Sequence, residues 1–282
     1  MPSNPENFTI GGDLEVRRLG FGAMRITGQG IWGEPEDPAE ARRVLSRAAD
    51  AVDVIDTADS YGPEVSENLI CETLHPYPEH LVIATKGGFE RPGPGRWTPS
   101  GRPERLKRCC EDSLRRLKLE RIDLYQFHTV DPKVPIEDSV GALAELQDEG
   151  KIRHIGLSNV NGEQLDRARK IATVVSVQNR YNLGERSSEE VLEACEQAQL
   201  AFLPYFPLAT GDLAEPGGTL DEIVRGHGAT PAQVALAWLL AHSPVMLPIP
   251  GTSRVSHLEE NLEAAELELS DDELAAVDEL AA

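Results

Sequence analysis

Four side chains capable of acid–base chemistry follow three successive apolar segments of the chain. Asp56 and Tyr61 lie in VIDTADSYG, Lys86 lies in IATKGG, and His128 lies in YQFHTVDP. A free tyrosine has a pKa of about 10 and holds its proton too tightly to donate it readily near neutral pH. A buried ammonium group lowers that pKa, and a paired carboxylate keeps the ammonium charged. The pattern predicts proton donation by Tyr61, with Lys86 and Asp56 adjusting its pKa and His128 orienting the acceptor.

The elements that would position these side chains alternate between strand-like and helix-like patterns. A short hairpin, Phe8 to Ile10 and Leu14 to Arg18, comes first and is expected to cap one end of the fold. Eight candidate strands follow, separated by amphipathic helical segments, and they begin at Leu19, Val52, Leu81, Ile122, Ile152, Val174, Ala201 and Val245. Two more helical patterns come after the eighth strand, with Ser270 as the expected N-cap of the second. We therefore predict an α/β fold, a (β/α)8 TIM barrel with an N-terminal β-hairpin cap and extra C-terminal helices, as one domain over residues 1–282.

In such a barrel the functional side chains lie at the carboxyl ends of the strands and in the loops that follow. Each of the four reactive residues also has a purely structural interpretation. Asp56 and Lys86 would be a barrel ion pair, Tyr61 a loop aromatic, and His128 a core histidine. We favour a catalytic site for carbonyl reduction because all four fall at the same end of consecutive strands.

The segment Gly28-Gln29-Gly30-Ile31-Trp32-Gly33 matches the G-x-G-x-x-G pattern of dinucleotide-binding loops. In that motif the third glycine lies in the opening turn of a helix, whereas here two prolines among acidic residues follow directly. We therefore reject a Rossmann site. The segment is instead predicted to be a loop after the first strand, with Trp32 either lining a substrate pocket or packed against the barrel.

Composition excludes several classes of partner. The chain has 48 acidic and 27 basic side chains, a formal net charge of −21, which repels nucleic acid phosphates and anionic lipid headgroups. The first residues lack a signal-peptide pattern, and no apolar run is long enough to span a bilayer, so we expect a cytoplasmic protein. The four cysteines show no C-x-x-C spacing, which predicts reduced thiols and neither disulfides nor a zinc site.

Six segments, IDTADSYG, ATKGG, LYQFH, HIGLSNV, SVQNRYN and IPGTSRVSHLEEN, resemble the ordered motifs of the aldo-keto reductase superfamily. The resemblance covers nearly the whole chain. It implies that Asp56, Tyr61, Lys86 and His128 form a catalytic tetrad. It also implies NADPH or NADH bound across the barrel mouth, a small-molecule carbonyl substrate, no metal, and a monomer.

The same resemblance assigns residues to the nicotinamide. Ser158, Asn159 and Gln178 would hydrogen-bond its carboxamide, and Tyr205 would stack on its ring. A planar amide needs paired donors and acceptors to fix which hydride faces the substrate, and an aromatic platform holds the ring flat. The structural alternatives are strand-end capping for Ser158 and Asn159, a satisfied core amide for Gln178, and barrel packing for Tyr205.

The rest of the nucleotide is expected near the last strand. Gly251, Thr252, Ser253 and Arg254 form a small-residue turn before a helix, a natural phosphate site, with Arg254 placed to clamp a 2′-phosphate. By resemblance Glu260 and Asn261 contact the adenine end, and their alternative is a solvated helix face. Gly251 and His257 stand where many members carry lysine and arginine, a departure that counts against a preference for NADPH. Arg254 partly restores the positive charge, so NADPH is the expected cofactor and NADH the alternative.

Four aromatic residues, Trp32, Trp97, Phe127 and Tyr181, are expected to approach the substrate. Trp97 lies in the Pro/Gly-rich segment RPGPGRWTPSG, where anchoring that segment is its alternative role. The stretches GQGIWGEPEDP, YGPEVSENLI and LAWLLAHSPVMLPIPGTSRVSHLEENL resemble bacterial pyridoxal-reductase-like members, which convert pyridoxal to pyridoxine. Pyridoxal is therefore the candidate substrate, with another small carbonyl as the alternative.

Two rival functions remain open at this point. Some family members are cytoplasmic subunits of potassium channels, and an intact tetrad does not exclude that role. A barrel lyase would instead use Lys86 as a Schiff base, which borohydride would trap. Asp56 argues against the lyase because a paired carboxylate keeps the amine protonated.

Overall fold

The centre of the molecule is a curled sheet of parallel strands. The computed structural model describes residues 6–208 and 218–280. The strands in these ranges are β1 (Asn7–Ile10), β2 (Leu14–Arg17), β3 (Phe21–Gly22), β4 (Val54–Asp56), β5 (Val82–Gly87), β6 (Phe89–Gly93), β7 (Arg96–Pro99), β8 (Ile122–Phe127), β9 (Ile152–Ser158), β10 (Val174–Gln178) and β11 (Ala201–Phe202). Seven of them form one sheet in the order β11-β10-β9-β8-β5-β4-β3, and every neighbouring pair is parallel.

The eighth predicted strand closes this sheet into a barrel, although it is not a regular strand. The Leu247 N–H donates to the Phe202 carbonyl at 2.8 Å, and the Gly22 N–H donates to the Pro250 carbonyl at 3.1 Å. The segment therefore bonds to β11 on one side and β3 on the other. Pro248 and Pro250 have no N–H to donate, which interrupts a regular ladder. The prediction of an eight-stranded barrel is confirmed, with its last strand shortened by proline.

Helices surround the sheet and connect its strands. Within the described ranges they are α1 (Pro38–Ala51), α2 (Val65–Leu74), α3 (Pro103–Leu117), α4 (Ile136–Asp148), α5 (Gly162–Arg169), α6 (Glu189–Ala198), α7 (Thr219–His227), α8 (Pro231–His242), α9 (Val255–Glu263) and α10 (Asp271–Glu279). The Asp37 carboxylate caps α1, and Ser270 with Glu273 forms a capping box at α10, as predicted for Ser270. None of the helices described has the length and apolar composition needed to cross a bilayer.

The hairpin of β1 and β2 covers the amino end of the barrel, as predicted. Ile10 and Leu14 share one buried cluster with side chains from the barrel strands. In the turn, the Asp13 carboxylate accepts a hydrogen bond from Arg153 at 2.7 Å and lies 2.6 Å from His154 Nε2. Because Arg153 and His154 lie near the start of β9, these contacts fix the hairpin on the end opposite to the candidate site.

A second hairpin was not predicted. Strands β6 and β7 follow β5 directly and pair antiparallel, with Gly95 at φ +67° in the turn between them. Because prolines and glycines count against strand formation, the segment RPGPGRWTPSG did not resemble a hairpin in the sequence. Its position after β5 places it beside the carboxyl ends of the barrel strands, where it forms one wall of the site.

Candidate active site

The adjacent strands β4 and β5 bring Asp56 and Lys86 into contact. Lys86 Nζ lies 2.5 Å from Asp56 Oδ1 and donates to the Thr57 carbonyl oxygen at 2.9 Å. It also donates to the Tyr61 hydroxyl at 3.3 Å. The side chains of Lys86 and Asp56 are 0% and 2% exposed. One buried ammonium group therefore links a carboxylate to a phenol.

The charges of this group follow from its burial and its partners. Burial opposes the charge on Lys86, but Asp56 and Tyr61 outweigh it and raise the pKa of Lys86 above its ordinary value. Burial also raises the pKa of Tyr61, and although Lys86 acts to lower it, Asp56 acts in the same sense as burial. The predicted lowering of the Tyr61 pKa is therefore wrong for the free chain, because burial exceeds the effect of Lys86. The phenol keeps its proton through neutral pH.

The other oxygen of Asp56 is held by two glutamines. Gln126 Nε2 and Gln178 Nε2 each donate to Asp56 Oδ2 at 2.9 Å, and all three side chains are buried. Gln178 was predicted to bind a nicotinamide carboxamide, and in this structure one of its amide hydrogens goes to Asp56. Gln126 was missed, although it lies two residues before His128 and therefore on the same face of β8.

His128 lies at the end of β8 in a cluster of aromatic rings. Its ring meets those of Tyr61, Phe89 and Trp97 edge to face, at centroid distances of 5.8, 4.7 and 6.2 Å. Its Nδ1 lies 3.3 Å from Ser60 Oγ. Burial, and then the positive charges of Lys86 and a nearby arginine, hold the pKa of His128 well below its ordinary value. The imidazole is therefore neutral, and Phe89 and Ser60 are neighbours that sequence reasoning missed.

A cavity of about 400 Å³ opens beside these side chains. Its walls contain eight of the predicted catalytic and nucleotide-binding residues: Asp56, Tyr61, His128, Ser158, Asn159, Gln178, Tyr205 and Gly251. The same walls contain residues that were not predicted: Gly22, Met24, Arg25, Arg180, Phe206, Pro207, Leu208 and Ile249. The barrel thus gathers side chains from widely separated parts of the sequence around one space.

Hydrogen bonds fix the predicted nicotinamide-binding residues to one another. Asn159 has a left-handed backbone, with φ at +57°. Its amide donates to Ser158 Oγ at 3.1 Å and to the His128 carbonyl oxygen at 2.9 Å. Its side-chain oxygen accepts from the Tyr205 hydroxyl at 2.8 Å. Ser158, Asn159 and Tyr205 are therefore positioned before any ligand arrives.

Beyond Gly251 the chain enters α9, where phosphate and adenine were predicted to bind. The Arg254 N–H donates to Thr252 Oγ1 at 3.2 Å, while the Ser253 and Arg254 side chains are exposed. Glu260 is also exposed. Asn261 is only 4% exposed, and among the described residues its Nδ2 has no hydrogen-bond partner. A buried amide without a partner is costly, so this position suits a ligand that supplies an acceptor, as a nucleotide base does.

Among the aromatic residues expected near the substrate, Trp97 lines the cavity and Trp32 lies outside its lining. Trp32 is linked to the cavity wall through Arg91. The Arg91 guanidinium lies 5.5 Å from the centre of the Trp32 ring and 3.7 Å from the centre of the Trp97 ring. Arg91 also donates to the Ser60 carbonyl oxygen at 2.7 Å. Sequence reasoning did not find Arg91, which connects the loop after β3, the loop after β4 and the second hairpin.

The structure contradicts the expectation that Phe127 and Tyr181 line the pocket. Phe127 is fully buried and, because side chains alternate along β8, it points away from the face that carries His128. Tyr181 is also fully buried, with its ring stacked on Trp238 at 6.0 Å and its hydroxyl bonded to Glu189 at 2.5 Å. Both rings fill the space between the sheet and the helices.

Comparison with known proteins agrees with this geometry. Residues 18–282 match the model of the aldo/keto reductase family. An uncharacterized oxidoreductase of Schizosaccharomyces pombe is 51% identical over 95% of this chain and 88% of its own length. Pyridoxine 4-dehydrogenase of Escherichia coli is 43% identical over 99% of this chain and 98% of its own. A crystal structure of an aldo-keto reductase from Klebsiella pneumoniae in complex with NADPH superposes with a TM-score of 0.83, at 26% identity, over 98% of this chain and 94% of that one. This chain belongs to the aldo/keto reductase family.

Proposed function

We propose that this protein reduces an aldehyde or ketone to an alcohol, with Tyr61 as the proton donor. As a member of the aldo/keto reductase family, the chain is an NAD(P)H-dependent oxidoreductase. The observation that carries the proposal is the position of Lys86 Nζ, in contact with both Asp56 Oδ1 and the Tyr61 hydroxyl at the edge of the cavity.

Each residue has a defined part in this proposal. Tyr61 holds its proton in the free enzyme and gives it to the substrate oxygen when negative charge develops there. Lys86 then stabilises the phenolate that remains, at a distance of 3.3 Å in the present geometry. Asp56 keeps the ammonium charged although both side chains are buried.

We assign neutral His128 the role of orienting the carbonyl. Its Nδ1 lies beside the Ser60 hydroxyl, which leaves Nε2 to interact with the substrate oxygen. A neutral ring at this position orients the oxygen without competing with Tyr61 for the role of proton donor. The raised pKa of Lys86 argues against a lyase, since a Schiff base requires a neutral amine.

The second substrate is a reduced nicotinamide cofactor, which supplies the hydride when bound. Ser158, Asn159, Gln178 and Tyr205 are the residues proposed to hold its nicotinamide, and all four line the cavity. The turn of Gly251, Thr252, Ser253 and Arg254 is proposed to hold its phosphates, with Glu260 and Asn261 at the adenine end. We propose NADPH as the preferred form because the Arg254 side chain is exposed at the start of α9.

The proposed carbonyl substrate is pyridoxal, reduced to pyridoxine. The identity of 43% to a pyridoxine 4-dehydrogenase over nearly the whole chain supports this choice. The edge of the Trp97 ring beside His128 supplies an apolar wall for a flat aromatic aldehyde. Other small carbonyls fit the same chemistry, so the substrate is identified by comparing turnover across a panel of small aldehydes.

The test combines nucleotide binding with turnover. Tryptophan-fluorescence titration measures the dissociation constants of NADPH and NADH, and loss of the reduced cofactor's absorbance measures turnover of pyridoxal and other small aldehydes. We expect submicromolar to micromolar binding and measurable pyridoxal turnover. Binding without turnover of pyridoxal would remove that substrate, and binding of neither nucleotide would overturn the proposal.

Tyr61→Phe is the matched variant. It removes only the hydroxyl, so we expect turnover to fall by about 10²–10⁴-fold while the nucleotide dissociation constant changes by less than about twofold. Undiminished turnover would show that another group donates the proton.

A further inference from the structure

The amino end of α9 already holds an anion that belongs to this chain. Glu40, on α1, extends to α9, and its Oε1 accepts a hydrogen bond from the Val255 N–H at 2.9 Å. Its Oε2 accepts from Arg43 Nε at 2.8 Å, one turn further along α1. The Val255 N–H and then Arg43 hold the pKa of Glu40 below its ordinary value, so the carboxylate is ionised at neutral pH.

The first turn of a helix favours negative charge because its N–H groups are unpaired and its dipole is positive there. Any second anion that approaches the same turn competes with Glu40 for the Val255 N–H and is repelled by its charge. The Glu40 carboxylate therefore competes with any phosphate that would bind at the first turn of α9.

A nucleotide bound in the proposed site would lie close to the first turn of α9. The cavity that begins at Tyr61 extends to Gly251, only four residues before Val255. Further along α9, the buried Asn261 amide without a partner suits an adenine ring. An extended dinucleotide held at both points would bring its adenosine ribose next to the first turn of α9. NADPH differs from NADH by a phosphate on that ribose, which adds about two negative charges.

We propose that Glu40 is a specificity-determining residue, whose carboxylate weakens the binding of NADPH relative to NADH. The inference rests on the proposed function, because it concerns the same nucleotide site. Arg254 attracts the 2′-phosphate and Glu40 opposes it, so the cofactor preference of the wild-type chain is the difference between two nearby charges. Arg43 is bound to Glu40, which limits its availability to the phosphate.

The test is Glu40→Gln, which removes the charge and keeps an oxygen that can accept from the Val255 N–H. Asp50→Asn is the matched control. It makes the same charge change on the same helix, ten residues away and therefore about 15 Å further along the axis. Dissociation constants for NADPH and NADH are measured by fluorescence titration. Calorimetry with adenosine 2′,5′-bisphosphate and adenosine 5′-monophosphate isolates the phosphate without the nicotinamide.

We expect Glu40→Gln to tighten NADPH and adenosine 2′,5′-bisphosphate by about tenfold, with NADH and adenosine 5′-monophosphate changed by less than about twofold. The gain should shrink as salt rises from about 0.05 M to about 0.5 M, since the repulsion is screened. Asp50→Asn should leave the ratio of the two affinities at the wild-type value.

If Glu40→Gln changes the dissociation constants of NADPH and NADH by the same factor, or changes neither, their ratio stays at the wild-type value. That result would overturn the role of Glu40 and leave the proposed function intact. If the wild-type chain binds neither nucleotide, the proposed function itself fails. Circular dichroism and thermal unfolding of each variant establish that the comparison is made between folded proteins.

Discussion

Lys86 Nζ lies 2.5 Å from Asp56 Oδ1 at a place where neither side chain is more than 2% exposed. Such a pair contributes little net stability when intact, because removing two charges from water costs about as much as their attraction returns. Removing one partner is different, since the remaining charge stays buried without compensation. The pair therefore couples the proposed chemistry to the stability of the barrel.

The first prediction concerns Asp56→Asn. We expect it to lower the free energy of unfolding by about 3–5 kcal/mol, because the Lys86 ammonium loses its counter-charge. Turnover should also fall, since an uncompensated Lys86 gives up its proton and no longer stabilises the phenolate of Tyr61. Urea unfolding measures the first effect, and turnover at saturating cofactor measures the second.

The double variant Asp56→Asn/Lys86→Met separates the two effects. It removes both charges, so we expect stability to recover most of the loss while turnover stays low. A double variant as unstable as Asp56→Asn would mean that the glutamine bonds to Asp56 Oδ2, and not the charge pair, hold this part of the barrel.

The second prediction concerns the pH dependence of turnover. The pKa of His128 is held well below its ordinary value by burial, Lys86 and Arg91, so the ring is neutral throughout the neutral range. We therefore expect His128 to contribute no inflection near the ordinary histidine pKa of about 6.5 in a plot of log kcat/KM against pH. An inflection there that disappears in His128→Gln would show that the ring titrates in the free enzyme.

Sequence patterns predicted the barrel, and they singled out the four proposed catalytic residues, because both depend on local signals. Alternating strand and helix periodicity marks the βα units. Asp56 is the last residue of β4, Lys86 is the last but one of β5, and His128 directly follows β8. Gln126 and Arg91 were missed because their roles depend on contacts across the fold. A buried glutamine resembles any polar residue in a strand until Asp56 is seen opposite it.

The errors have the same origin. Phe127 is next to His128 in the sequence, but which face of the sheet it occupies depends on the register of the barrel. Tyr181 follows β10, and its burial against Trp238 depends on contacts made only in the folded chain. The predicted pKa of Tyr61 was wrong in direction because proximity to Lys86 is visible in the motif, whereas the extent of burial is not.

The third prediction concerns Arg91, which joins two loops and the second hairpin. Its guanidinium donates to the Ser60 and Gly30 carbonyl oxygens at 2.7 and 3.3 Å, and it stacks on Trp97. In Arg91→Met the Trp97 ring loses the contact that holds it at the cavity wall. We therefore expect KM for the carbonyl substrate to rise by about tenfold, with little change in the nucleotide dissociation constant.

Arg91→Lys is the control because it keeps the charge and loses the planar fork that makes these bonds. If position is what matters, Arg91→Lys should resemble Arg91→Met in KM. A wild-type KM in Arg91→Lys would indicate that Arg91 acts through its charge alone.

The last prediction concerns Asp59, two residues before Tyr61. Burial, and then the charge of Glu67, raises the pKa of Asp59 to about 7, and its Oδ1 has no hydrogen-bond partner among the described residues. The unfolded chain releases this proton near pH 4, whereas the folded chain keeps it until about pH 7. The folded state therefore binds more protons between these values, and stability falls as pH rises through them.

Asp59→Asn removes this titration, so we expect the variant to gain stability over wild type as pH rises. The difference in Tm between Asp59→Asn and wild type should be larger at about pH 8 than at about pH 5. Each kcal/mol gained in the free energy of unfolding should raise Tm by about 2–4 °C. Asp50→Asn, which makes the same substitution at an exposed position on α1, serves as the control for the change of side chain itself. A Tm difference for Asp59→Asn that is the same at both pH values would mean that Asp59 ionises alike in the folded and unfolded chains.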